Sequence, residues 1–489
     1  MNRLVLKDGG AVESGDKEFC QSLQRTLADE KGSGSVVVPK EWFPNWGNRR
    51  IGKLKVFDYF RQNYCVQCFA GFLNFEGRQV LIHSRFDETG ALFRYMMTRL
   101  SLMPRMLWNH TPEAEAGSFQ IPLVYTFLRQ VKEAYSIGVY RQYRTFSYND
   151  SHPKGFINIP LHIRKNPLEN GRIAYTTREY TADNPINRLI LAAWQYIQRD
   201  ETLGSTARKI TQNHPELLTP IKELNYQLNS PHVDRNQLTN LMREAERPIT
   251  HHMHARYESV RKTSLMILKG LGFEQAAARG RGRVSGMLFP MDIMWEFFLE
   301  DAVLKGTSLS TQESIDILIP EGGAALRKIK PDFLLYHDAQ KNVLAVLDAK
   351  YKEIWGKAYS ALSSFEADPP NSGEDSEDDV DSDNDNRVYN TAKPWRDSRI
   401  REDSFQVMSY MHVTHAKTGG ILFPMVTEEE TLPIKKIHLY EGTDEVILLI
   451  PVCLPKDDGN FDRYCEEMDT RCALLRTQLL QELADQKDS

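Results

Sequence analysis

Residues 331–352 read PDFLLYHDAQKNVLAVLDAKYK, and the order of apolar and polar residues in them decides the fold of the C-terminal half. Phe333 to Tyr336 form an apolar run, His337 to Asn342 a polar turn, and Val343 to Leu347 a second apolar run that ends in Asp348-Ala349-Lys350. Two strand-like runs around a short polar loop read as a β-hairpin. With the turn centred near Gln340, Asp332 and Asp348 are each eight residues from it, so an antiparallel ladder sets them side by side. Side chains alternate faces along a strand, which puts Lys350 on the face of Asp348. Two carboxylates and an ammonium then converge at one end of the hairpin. Such a set can hold Mg²⁺ through the carboxylates while the cation supports a phosphate or an attacking water.

An ordinary surface hairpin would leave these charges solvated. Here Asp348 follows an unbroken apolar strand instead of an alternating one, and Pro331 fixes the chain at the entry to the first strand. The pattern P-D, hydrophobic hairpin, D-x-K resembles the core of the PD-(D/E)XK nuclease superfamily. That resemblance implies an accessory carboxylate on the helix before the hairpin. Met291 to Glu300 is a helical pattern in which Glu296 fits the role, with Glu300, one turn on, as the competing candidate. It also implies a glutamine and an aromatic near substrate phosphate on the helix after the D-x-K strand. Asp403 to Met411 reads as a helix with Gln406 and Tyr410 on one face, and Gly419 to Pro424 as a further strand.

Three segments, Lys154–Arg164, Tyr175–Tyr180 and Asn184–Ile190, resemble the middle of McrC-type subunits, the nuclease partners in McrBC-like modification-dependent restriction systems. The strand Asp348-Ala-Lys-Tyr-Lys352, followed by a Gln-x-x-x-Tyr helix, is similar to the same family. The resemblance covers roughly residues 120–200 and 285–425. It implies a Mg²⁺-dependent DNA endonuclease subunit acting in anti-phage defence. Asp332 and Asp348, with the Ala349 carbonyl, would bind metal and Glu296 would add a ligand. Lys350 would orient the water or stabilise developing charge, Gln406 would position substrate, and Lys352 and Tyr410 would meet DNA. In the resemblance, an AAA+ GTPase on a separate chain supplies site recognition and translocation. Two other readings stay open: a non-cleaving subunit that stimulates a GTPase ring, and a PD-(D/E)XK enzyme acting alone on branched DNA or RNA. Intact Asp332, Asp348 and Lys350 argue against the first, and the long helical middle against the second.

Composition fits a cytoplasmic globular enzyme. At 489 residues, 41% hydrophobic and 26% charged, the chain can bury two or three cores. Its longest apolar stretch, Val446 to Pro455, is too short and Pro-broken to span a bilayer, and MNRLVLKDGG contains no signal-peptide core. Six scattered cysteines form no disulfide framework; Cys65-Val-Gln-Cys68 lacks a second pair at zinc spacing and reads as structural thiols. His251-His-Met-His254 has no i+4 pair and reads as a helix start or linker. There is no G-x-x-x-x-G-K-[ST], so the chain binds no NTP through a P-loop, and no G-x-S-x-G. Residues 366–386 carry ten Asp/Glu and no Lys/Arg, which turns the net −5 of the whole chain into +5 for the rest. They read as a disordered acidic insertion. Arg279, Arg281 and Arg283 alternate with glycine just before the Glu296 helix and read as a cationic loop for DNA phosphate.

The expected fold class is α/β. Residues 1–118 read as a mixed, β-rich region for partner docking and 119–271 as a mostly helical middle domain interrupted by a β-like stretch at 155–175. Residues 272–489 read as the PD-(D/E)XK core, a mixed sheet flanked by helices, closed by a helix over 461–484.

Overall fold

The computed structural model describes residues 2–29, 35–39, 55–60, 63–86, 89–100, 102–108, 119–168, 170–228, 235–269, 284–305, 307, 309–311, 313–317, 327–336, 342–367, 394–440 and 443–485. They form a mixed α/β protein that clusters into two compact units. One comprises residues 1–67, 71–82 and 118–289, the other 68–70, 83–117 and 290–489. The chain thus divides elsewhere than the three consecutive stretches read from the sequence.

The first unit is built on strands β1 (Asn2–Lys7), β2 (Ser35–Val37), β3 (Phe57–Phe60), β4 (Asn63–Val66), β5 (Phe69–Phe75) and β6 (Arg78–His83). To these it adds β7 (Gln142–Asp150), β8 (Phe156–Ile157), β9 (Ile173–Thr181) and β10 (Ser285–Pro290). Five of them make a sheet in the order β1-β6-β5-β10-β2, in which β10 runs parallel to β2. The sequence reading assigned β10 to the C-terminal core; the structure hydrogen-bonds it inside this sheet. Two glycines allow the pairing. A Cβ on Gly71 would lie 2.1 Å from the Met287 carbonyl oxygen and one on Gly286 2.1 Å from that of Phe72, and both residues have φ near +150°. Only glycine tolerates that combination.

This unit also holds the sheet β7-β9-β8 and helices that include Lys17–Ala28, Gln120–Tyr135, Pro185–Arg199, Glu201–Asn213, Thr219–Gln227, Arg235–Ala245 and Arg256–Leu268. The helix from Pro185 shows why they form. Asn184 caps it by accepting from the Ile186 and Asn187 amides, Pro185 occupies its first position, and Ile186, Leu189, Ile190, Ala193 and Ile197 give one buried face. The β-like stretch at 155–175 is corrected in part. Ile159–Lys165 is a helix, because Asn158 accepts from the Leu161 amide at 3.0 Å and Pro160 stands in the first turn. Start signals outweighed the β-branched composition there.

The second unit holds the hairpin. Its six-stranded sheet runs β11 (Leu309–Thr311), β14 (Phe333–Tyr336), β15 (Val343–Ala349), β16 (Thr418–Val426), β18 (Val446–Leu454) and β17 (Lys435–His438), while β12 (Ile315–Ile317) and β13 (Arg327–Ile329) pair with each other. β14 and β15 are antiparallel with Phe333 opposite Leu347, β15 and β16 parallel, and β16 and β18 parallel. Parallel neighbours need a crossover, and two helices, Glu353–Ala367 and Ser398–Thr414, lie in the segment between β15 and β16. Their apolar faces (Trp355, Ala358 and Tyr359; Ile400, Val407 and Met411) pack on Ile421, Phe423, Ile447 and Leu449. Gly419 lets the second helix close on the sheet: a Cβ there would meet Met411 Sδ at 2.5 Å and Val407 Cγ1 at 2.6 Å. The unit also contains helices Ala91–Arg99, Met291–Ala302 and Phe461–Asp485, the last two where the sequence places them. Among the described residues no helix is long and apolar enough to cross a membrane.

Candidate active site

The register carries Phe333 opposite Leu347 one step further, to Asp332 opposite Asp348, just before β14 begins and where β15 is still paired with β16. Asp348 is buried, 1% exposed, and Asp332 partly so. Asp332 Oδ2 accepts the backbone N–H of Ala349 at 2.9 Å. The Lys350 ammonium forms an ion pair with Asp348 and donates to Gln406 Oε1 at 2.9 Å. Gln406 Nε2 donates in turn to the Tyr410 hydroxyl at 2.6 Å, and that hydroxyl lies 3.3 Å from the Lys330 carbonyl. The Asp332, Asp348, Lys350 and Gln406 side chains singled out from the sequence are therefore in one place.

Burial comes first in the electrostatics. Desolvation and the nearby Glu296 push Asp332 up to about 6, against the Ala349 amide and Lys350. Desolvation and Asp332 push Asp348 up to about 8, against Lys350. Burial by itself would lower the Lys350 ammonium, but Asp348, Asp403 and Asp332 outweigh it and the group is held above its usual range. Once both carboxyls are ionised, two negative charges face the one Lys350 ammonium. A hard dication fits that deficit: the donors are all oxygen, and Asp348 Oδ2 has no hydrogen bond, only its ion pair with Lys350.

Glu296 and Glu300 differ in what they influence. Glu296 acts on Asp332, whereas Glu300 is raised by its own burial and then by Asp301. Among the described residues no three of His, Cys, Asp or Glu are gathered closely enough to hold one ion, so Glu296 does not complete a three-carboxylate set with Asp332 and Asp348. Lys352, expected at DNA, spends its ammonium on Asp403, at 2.7 and 2.8 Å from the two carboxylate oxygens. Tyr410, also expected at DNA, is 7% exposed and reaches the site through Gln406. Arg279, Arg281 and Arg283 lie outside the described residues. So does the acidic segment 366–386, apart from residues 366 and 367, which close the helix Glu353–Ala367.

Sequence reasoning missed two participants. Asp403, 4% exposed, accepts from Lys352 and from the Trp355 indole at 3.0 Å and lies 3.6 Å from Lys350 Nζ. Its position one turn before Gln406 was the available signal. Tyr351, between the two lysines, faces the other way: its hydroxyl is 2.8 Å from Ser84 Oγ, its ring meets Phe86 edge-on and Trp295 at 5.8 Å, and Arg85 lies over it. Nothing in the local sequence of residues 84–86 announced that contact.

Two carboxylates, one buried and one partly buried, thus meet a lysine beside a mixed sheet, with oxygen donors of the kind that suit a hard cation. The family follows from comparison with known proteins. The chain belongs to the family described as McrBC 5-methylcytosine restriction system component, whose model matches residues 65–367, more than half of its length. The match starts well before residue 120, where the sequence offered no resemblance, and stops before Gln406. No curated protein matches. Two solved chains from Thermococcus gammatolerans are similar. One is from the refined half-complex of a tetradecameric assembly of McrB AAA+ hexamers with bound McrC; it is 14% identical, with a TM-score of 0.45 over 98% of this chain and 100% of that one. The other, from the McrBC complex, is 14% identical, with a TM-score of 0.31 over 62% and 88%.

Proposed function

We propose that this chain is the nuclease subunit of a McrBC-type restriction system. It is read as a Mg²⁺-dependent endodeoxyribonuclease of the PD-(D/E)XK kind that cuts DNA in anti-phage defence when assembled with a separate AAA+ GTPase. The observation that carries the reading is the convergence of Asp332, Asp348, Lys350 and Gln406 at the open end of the hairpin. Asp332 and Asp348, with the Ala349 carbonyl, would hold the ion, and waters would fill the remaining positions, as Mg²⁺ prefers. Bound there, Mg²⁺ would polarise the scissile phosphate and lower the pKa of an attacking water. The protein's own groups do the rest. Asp332 and the Ala349 amide brace the strand ends, Gln406 and Tyr410 aim Lys350, and Lys350 offers a fixed positive charge to the phosphate. A separate GTPase fits the resemblance to McrC-type subunits and the lack of a phosphate-cradling loop in this sequence.

The test is cleavage by the purified protein mixed with its GTPase and Mg²⁺. Asp348→Ala or Lys350→Ala should abolish cutting, a loss of several kcal/mol of barrier stabilisation, while the complex still forms. Ca²⁺ should support binding without cutting. Undiminished cleavage by Asp348→Ala excludes the reading. Full-rate specific cleavage by the isolated chain would favour the stand-alone nuclease.

A further inference from the structure

Three groups surround the Lys350 ammonium: it ion-pairs with the Asp348 carboxylate, donates to Gln406 Oε1 at 2.9 Å, and lies within ion-pair range of Asp403 Oδ1 at 3.6 Å. They are not equivalent. A cation held by Asp332 and Asp348 competes with Lys350 for the Asp348 oxygens, so that ion pair weakens when the site is loaded. Gln406 is neutral and offers a weaker bond than a carboxylate does. Asp403 carries a full charge, lies outside the candidate metal-binding pair, and is shared between Lys352 and Lys350. It is buried on the helix Ser398–Thr414, one turn before Gln406, and is clamped on its other sides by Lys352 and the Trp355 indole. Lys352 and Trp355 belong to the segment directly after the D-x-K strand, so Asp403 ties that segment and the Gln406 helix to one point.

We propose that Asp403 is a positioning residue for Lys350, holding the ammonium in the site when Asp348 engages the metal. Without it, Lys350 would be left with Gln406 alone and free to swing on its four-carbon stem. The chemistry that Lys350 then performs rests on the nuclease reading; the anchoring does not. A purely architectural Asp403, serving only Lys352 and Trp355, is the competing account.

Asp403→Asn removes the charge from both lysines while its amide oxygen can still accept from Trp355, and a readout on Lys350 itself separates the two accounts. In the full chain, Lys350 should be acylated several-fold faster by an amine-reactive ester at fixed pH, read by peptide mass spectrometry. In the complex with the partner and Mg²⁺, cleavage at saturating DNA should fall roughly tenfold to a hundredfold. DNA affinity in Ca²⁺ should be unchanged. Asp403→Glu, which keeps the charge, should recover much of both properties. Unchanged Lys350 labelling together with parental cleavage overturns the proposal, as does a loss confined to thermal stability. If the parent itself never cuts DNA, the nuclease reading fails, and the labelling still decides whether Asp403 anchors Lys350. Should both variants fail to fold, a structure of the parent with Ca²⁺ decides: Lys350 Nζ within ion-pair reach of Asp403 supports the proposal, and Lys350 turned away from it refutes it.

Discussion

Asp332 accepts the backbone N–H of Ala349 at 2.9 Å, so one candidate metal-binding carboxylate is hydrogen-bonded to the residue that separates Asp348 from Lys350. The bond closes the hairpin one step beyond its last paired residues, Phe333 and Leu347. It sets the two carboxyl groups side by side in a place where burial raises both. The fold therefore holds like charges together, and what stabilises them is Lys350, Gln406 and whatever cation joins them.

That arrangement makes stability depend on pH in a stated direction. Folded-state values of about 6 for Asp332 and about 8 for Asp348 lie above those of the unfolded chain, so the metal-free native state binds more protons than the unfolded one. The contribution is fully present below pH ~4 and is lost as pH rises through about 8. In chelator, Asp348→Asn should gain on the parent by on the order of 1 kcal/mol or more between pH 5 and pH 8.5. Mg²⁺ should raise the parent's melting temperature more at pH 8 than at pH 5.5, because a ligating carboxyl must lose its proton. Parallel melting curves for parent and variant across that range would contradict the assignment.

Elsewhere the sign is opposite. Glu258, despite a burial that raises it, is held below its usual range by Arg261 and the Ile249 amide. Arg261, 4% exposed, also donates to the Ala245 carbonyl at the end of the helix Arg235–Ala245. A lowered folded-state pKa gives stability above the unfolded value that disappears as pH falls through the folded one. Glu258→Gln should therefore cost about 3 kcal/mol at pH 7, since it strands a buried guanidinium. The deficit should shrink as pH is lowered toward 3, which denaturant titrations at several pH values can follow.

The hairpin, its register and the helix faces of Gln406 and Tyr410 were legible because period-two and period-3.6 patterns fix which residues share a face. Lys350 meeting Asp348 follows from the same rule. Asp403 was within reach of that logic but does not advertise a partner, because the groups that donate to it, Lys352 and Trp355, are about fifty residues upstream. The membership of β10 in the first sheet was illegible for a different reason. Ser285–Pro290 is a short apolar run like many others, and its neighbours β5 and β2 are more than two hundred residues away in sequence. Gly71 and Gly286 mark the contact, yet each alone reads as a turn.

Those glycines and Gly419 should differ in how they respond to alanine. At Gly286 the new Cβ meets a carbonyl oxygen at 2.1 Å with φ at +155°, so backbone must move. At Gly419 it meets only side-chain atoms of Met411 and Val407, which can yield in part. Gly286→Ala should leave little folded protein. Gly419→Ala should cost about 1–3 kcal/mol, as overpacking does, and should slow cleavage by shifting the helix that carries Gln406. Thermal melts of the two variants check the order; equal losses would count against the close approach of β5 and β10.

The Gln406–Tyr410 contact offers the finest test of how Lys350 is aimed. The tyrosine hydroxyl takes a hydrogen bond from Gln406 Nε2 at 2.6 Å, which leaves Gln406 Oε1 turned toward Lys350 at 2.9 Å. Tyr410→Phe removes the constraint and leaves the ring in its cluster with Leu334 and Val346. A neutral hydrogen bond contributes about 1 kcal/mol, so cleavage by the assembled complex should fall only about fivefold. Gln406→Ala deletes the acceptor of Lys350 as well and should lose more. Neither change should alter DNA affinity in Ca²⁺ if Tyr410 acts from behind Gln406. A larger loss of affinity than of rate in Tyr410→Phe would place the hydroxyl on the DNA itself.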